Sequence, residues 1–130
     1  MPTIYRFEHS KHRTGPFRSE HGGREVREFS ESVCMTMSSR HPTALVDIDR
    51  YTDALVCAVP DLDLIPFWFT RDLLKRGYEL GYVVRAYHCK CIHRGDSGTQ
   101  VAFNPKNAKL RDTFELDEVL EVYEEFVEAA

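Results

Sequence analysis

Between Thr70 and Phe103 the chain prescribes an order of elements that limits the folds open to it. Thr70 is a good N-cap for RDLLKRGYEL, and Gly81 is a natural stop. YVVRAYHCKCIH then reads as one long strand, RGDSG as a turn, and TQVAF as the returning strand of a hairpin. Near the N-terminus TIYRFE alternates as a strand, with Tyr5 and Phe7 on one face and Ile4, Arg6 and Glu8 on the other. Strand, mixed helices, helix, hairpin and a final helix together predict an α+β fold. The expectation is a single domain over residues 1–130, with a small, mostly antiparallel sheet, packed helices and an acidic C-terminal helix.

The segments between are less regular. Residues 9–25 form a basic, glycine-rich loop carrying His9, His12, His21, Lys11, Arg13 and Arg18, punctuated by Gly15-Pro16 and Gly22-Gly23. Residues 24–38 are ambiguous, although Val26, Phe29 and Val33 would line one helical face. His41-Pro42 opens a further element, TALVDIDRYTDALV, with Leu45, Ile48 and Leu55 at helical spacing. Pro60 to Pro66 reads as a connector, and Phe67-Trp68-Phe69 as a short aromatic strand.

At 130 residues, 42% of them hydrophobic, the chain suits one core. No run of 18 apolar residues exists and MPTIYRFEHSKHR lacks the apolar core of a secretory signal, so the expected place is the cytoplasm, away from membranes. The net charge of −4 conceals an asymmetry. Residues 112–130 hold Asp112, Glu115, Asp117, Glu118, Glu121, Glu124, Glu125 and Glu128, and all 17 Lys and Arg lie elsewhere. Leu116, Val119, Leu120, Tyr123 and Phe126 fall on one face of that helix, which leaves the acids outward.

The densest group of metal-ligating residue types is HCKCIH, residues 88–93. On a strand Cys89, Cys91 and His93 share a face, and Cys34, Cys57 or a loop histidine would complete a zinc site. Residues i and i+2 of a strand stand roughly 6.5–7 Å apart, too far for two thiolates to converge on one ion without a turn. The expectation is therefore no metal, with free thiols on a strand. Arg6 beside Glu8 reads either as an anion-holding arginine or, preferred, as a solvated ion pair. Gln100 alternates away from Val101 and Phe103 and is read as solvated or as a ligand-orienting amide. The basic loop is diluted by Glu20 and Glu25, so direct nucleic-acid binding is disfavoured. No P-loop, dinucleotide fingerprint, zinc-protease or serine-hydrolase motif is present.

IYRFEH, TGPFR, HP, FWFT followed by an LL helix, and QVAF together resemble a pattern in small phage- and prophage-encoded proteins. The arrangement also resembles, loosely, a reduced ADP-ribosyltransferase-type fold. That resemblance implies Arg6, Thr70 and Gln100 as site residues and NAD as ligand, with Gln100 in place of the usual acid and hence a degenerate site. The first resemblance, with the acidic helix, leads to an expected function. The protein would inhibit a bacterial host defence complex, as anti-CRISPR proteins do, by protein–protein binding. Glu118, Glu121, Glu124, Glu125 and Glu128 would occupy a basic nucleic-acid-binding groove. The alternative is an NAD-binding enzyme using Arg6, Thr70 and Gln100.

Overall fold

The computed structural model describes residues 2–17, 23–37, 41–49 and 51–129, with side chains as far as Glu125. Arg18, Glu20, His21 and Gly22 of the predicted loop, and the side chains of Phe126 and Glu128, lie outside the described residues. Among the described residues six strands form two antiparallel three-stranded sheets. The first orders β1 (Thr3–His9), β3 (Tyr82–Cys89) and β6 (Ala108–Phe114), with β3 in the middle. The second orders β2 (Val56–Ala58), β5 (Val101–Phe103) and β4 (Ile92–Arg94). The free edge of β1 is covered where Tyr5 and Val59 exchange backbone hydrogen bonds of 2.9 and 2.8 Å, which links the sheets.

The period-2 pattern of β1 buries both faces. Phe7 joins Tyr82 and Val84 on the face covered by helices α1 (Arg24–Met35), α3 (Ile65–Trp68), α4 (Arg71–Glu79) and α5 (Leu116–Ala129). Phe29, Val33, Leu74, Val119 and Tyr123 are their core residues, so the predicted apolar stripes of α1 and α5 are the faces buried. Ile4 packs on the other face with Tyr87, Cys89, Val101 and Phe103, forming a second core shared by the two sheets. Contact between α4 and β1 is close enough to require glycine: a Cβ on Gly77 would stand 2.4 Å from the Phe7 ring. Thr70 caps α4 by accepting from the Leu73 N–H at 3.2 Å, and Gly81 ends it at φ +95°, as predicted.

Several expectations are corrected. Phe67-Trp68-Phe69 is not a strand; Ile65–Trp68 is one helical turn with Pro66 in its first positions, and only Phe69 is extended. The helix predicted after His41-Pro42 lasts only over α2 (Ala44–Asp47). Ile48 turns extended to reach the core, leaving Leu45 and Val46 77% and 81% exposed. The long strand 82–93 breaks at Lys90-Cys91, where the chain leaves the first sheet for the second. Residues 108–114 form β6, so Asp112 belongs to a strand and the acidic helix begins at Leu116. The described start of the basic loop is a closed turn, with His9 N–H donating to the Thr14 carbonyl at 2.9 Å and Arg13 N–H to that of His9 at 2.8 Å. Its far end belongs to α1 from Arg24. Among the described residues no helix is long and apolar enough to cross a membrane.

Candidate functional site

Arg6 and Glu8 are not a solvated pair. They are 9% and 2% exposed, with Arg6 at the middle of the β1–β3 ladder opposite Arg85 and Glu8, two residues on, opposite Val83. Arg6 Nε donates to Glu8 Oε1 at 2.9 Å, while Arg85 Nη1 and the Tyr87 hydroxyl donate to Oε2, the former at 3.0 Å. The Tyr87 hydroxyl is pushed up to about 12, first by burial and then by the Glu8 carboxylate it faces, so it remains the donor. Arg6 also donates to the Cys57 carbonyl and, at 3.4 Å, to the carbonyl of Arg13, whose φ of 59° turns it inward. Arg85 reaches the Ser10 carbonyl at 3.1 Å. Two guanidiniums thus tie β1, β3, β2 and the loop after β1 around one carboxylate.

Gln100 is buried too, and its environment fixes which way its amide faces. Nε2 donates to the Pro42 carbonyl at 2.8 Å and to Asp47 Oδ2 at 3.0 Å. Both neighbours are acceptors, so the nitrogen must face them. Asp47 also accepts from the Ser97 N–H at 2.7 Å and the Ser97 hydroxyl at 2.8 Å. Burial alone would raise the Asp47 carboxyl; these three donors overcome it and hold the carboxyl below its ordinary value. The RGDSG turn is therefore a docking turn, closed over Asp47, with Gly95 where any Cβ would stand 2.1 Å from Oδ2.

Between these networks lies a cavity of about 80 Å³. Arg6 and Gln100 line it, with Cys57 beside them and Phe17, Trp68 and Phe69 as apolar walls. Burial pushes the Cys57 thiol up, so it is a neutral wall and not a thiolate. The Trp68 indole N–H is held by the Thr99 carbonyl at 2.8 Å, which fixes that ring. Two of the three residues singled out by the ADP-ribosyltransferase-type resemblance meet here. Thr70 does not: it is exposed and its hydroxyl caps α4.

The sequence reading missed Glu8 as the hub, and also Arg85, Tyr87 and Asp47. One signal was available. Arg85 interrupts the apolar run YVVRAY, and a cation in such a strand needs a buried partner.

Cys89, Cys91 and His93 do not share a face. Cys89 is buried in the inter-sheet core and its thiol donates to the Cys91 carbonyl at 3.2 Å, whereas Cys91 and His93 are exposed on the far side of the break at Lys90. Among the described residues no group of three or more His, Cys, Asp or Glu side chains is arranged to hold a metal ion. All four cysteines are free thiols.

The outer face of α5 is acidic as expected. Asp117, Glu118, Glu121, Glu124 and Glu125 are exposed, while Val119 and Tyr123 are buried beneath. The Tyr123 hydroxyl donates to the Phe69 carbonyl at 2.5 Å and clamps the helix to the body. Burial raises that hydroxyl far above its ordinary value, so it stays a donor. Glu118 reaches back to the Glu115 N–H at 3.0 Å and caps the helix start.

No curated protein and no solved structure matches the chain. A family model described as "Bacteriophage T4 Y00F protein" matches residues 1–117, from the first residue into the first turn of α5 and across the whole Arg6–Gln100 region. On that span the chain belongs to the bacteriophage T4 Y00F protein family.

Proposed function

We propose that this phage-family protein is an accessory factor that disarms a bacterial host defence complex by binding it through the outer face of α5. The observation that carries the reading is the exposure of Glu118, Glu121, Glu124 and Glu125 on a helix anchored from below by Val119 and Tyr123. Among the described residues no ion pair takes up Glu121, Glu124 or Glu125. A rigid surface with this charge is complementary to a basic nucleic-acid-binding groove and would be steered to it quickly at low salt. Glu128 extends the same series in sequence. The test is affinity capture from host lysate with the native chain and with a variant reversing Glu118, Glu121, Glu124 and Glu125 to Lys. Capture of a nucleic-acid-binding defence complex by the native chain only, weakening with salt, supports the reading; equal capture by the variant overturns it.

A second reading, an NAD-binding enzyme with a degenerate site, draws on Arg6 and Gln100 lining one cavity. The size of that cavity weighs against it: about 80 Å³ is well short of the roughly 300–1,000 Å³ usual for ligand pockets. Calorimetry with NAD and ADP-ribose at millimolar concentration tests it; absence of heat from folded protein ends it.

A further inference from the structure

The charge around Glu8 does not balance. Arg6 and Arg85 both donate to this one carboxylate, so the cluster holds one positive charge more than it holds negative. Arg6 is nine-tenths buried, and a buried guanidinium that must share its counter-charge is costly. Asp47 is a separate carboxylate: it does not line the cavity, its partners are Ser97 and Gln100, and it contacts neither guanidinium.

Of the two guanidiniums, Arg6 lines the cavity and Arg85 does not. A guanidinium has five N–H donors. Three of those on Arg6 are spent on Glu8, Cys57 and Arg13, and the other two have no partner among the described residues. Gln100 also lines the cavity but offers an anion no donor, because its amide nitrogen is committed to Pro42 and Asp47. The other walls are apolar: Phe17, Trp68 and Phe69 enclose the space, and Phe17 is 46% exposed at its mouth.

We infer that this cavity is a binding site for a small monocarboxylate with a short apolar body. The carboxylate forms charge-assisted hydrogen bonds with the two free N–H groups of Arg6, and its body packs against Phe17, Trp68 and Phe69. Size sets the body. About 80 Å³ is roughly half the 150 Å³ that accepts the six carbons of a benzene ring, so roughly three or four non-hydrogen atoms fit, which is the size of acetate. The anion's charge follows from the walls. A phosphate dianion would need several more donors than one guanidinium offers here, whereas a carboxylate is matched by two parallel N–H groups.

The test is an NMR titration of the full chain with acetate, following the Arg6 Nε–H and Trp68 indole N–H resonances. Acetamide and inorganic phosphate serve as controls. A saturable shift of both resonances at millimolar acetate is expected, with at least tenfold weaker binding of either control. Arg6→Gln should weaken acetate binding at least tenfold. Phe17→Ala, at the exposed mouth and therefore safe for folding, should weaken it several-fold. No saturable shift, acetamide binding as well as the acid, or phosphate binding as well as the acid would each overturn the inference. Should Arg6→Gln fail to fold, Phe17→Ala and the acid–amide pair still decide: unchanged binding by Phe17→Ala, or parity of acid and amide, overturns it.

Discussion

Arg6 and Arg85 are direct partners across the β1–β3 ladder, two guanidiniums facing each other from neighbouring strands. Like charges placed opposite one another destabilise a sheet. Here the Glu8 carboxylate takes Arg6 on one oxygen and Arg85 on the other, and so makes the pairing tenable.

Removing that carboxylate exposes the repulsion. Glu8→Gln leaves two largely buried cations without their shared anion, and should cost on the order of 3–5 kcal/mol in urea unfolding. A loss under about 1 kcal/mol, the range of surface pairs, would return the cluster to the solvated pair expected from sequence.

Stability should fall at high pH. The hydroxyls of Tyr87 and Tyr78 are each pushed from 10 to about 12, in both cases first by burial. A folded value above the unfolded one means that the native state keeps its proton longer. The stabilisation is complete below about pH 10 and is lost as pH rises towards 12. Unfolding free energy measured from pH 8 to 12 should stay level and then drop, and Tyr87→Phe should lessen the drop. A level profile to pH 12 would contradict the assignment.

Thr70→Ala should cost about 1 kcal/mol, the usual worth of an N-cap, with the loss confined to α4 in hydrogen exchange. Loss of ligand binding with stability unchanged would instead restore Thr70 as a site residue.

Gly77→Ala should destabilise by about 1–3 kcal/mol, because the added methyl group drives into the Phe7 ring between α4 and β1. Thermal unfolding measures it, and a neutral result would show that the two elements separate freely.

The parts of this fold that were legible are those whose signals are local. Thr70 and Gly81 delimit α4, and the spacing of Val119 and Tyr123 gives the inner face of α5, because caps and helical periodicity need no distant partner. β6 was not legible. Most of its residues are exposed, so no apolar alternation marks it, and it is a strand because β3 offers an edge. The break after Cys89 was hidden likewise, since each half of YVVRAYHCKCIH is a good strand and only the second sheet separates them. Of the candidate site, Arg6 and Gln100 were named but their burial was not. Arg6 depends on Arg85, brought beside it by pairing of β1 with β3, and Gln100 depends on Asp47, held under the RGDSG turn. Contacts between residues so distant in sequence have no local signature.

Binding through the outer face of α5 is tested by a photo-crosslinking residue placed at Glu121, with the same residue at exposed Lys75 of α4 as control. Crosslinks are expected from position 121 alone, to a basic, nucleic-acid-binding surface of one host complex, and suppressed by added salt. Crosslinks from position 75 in preference to 121, or none from 121 in host cells, would contradict binding through that face.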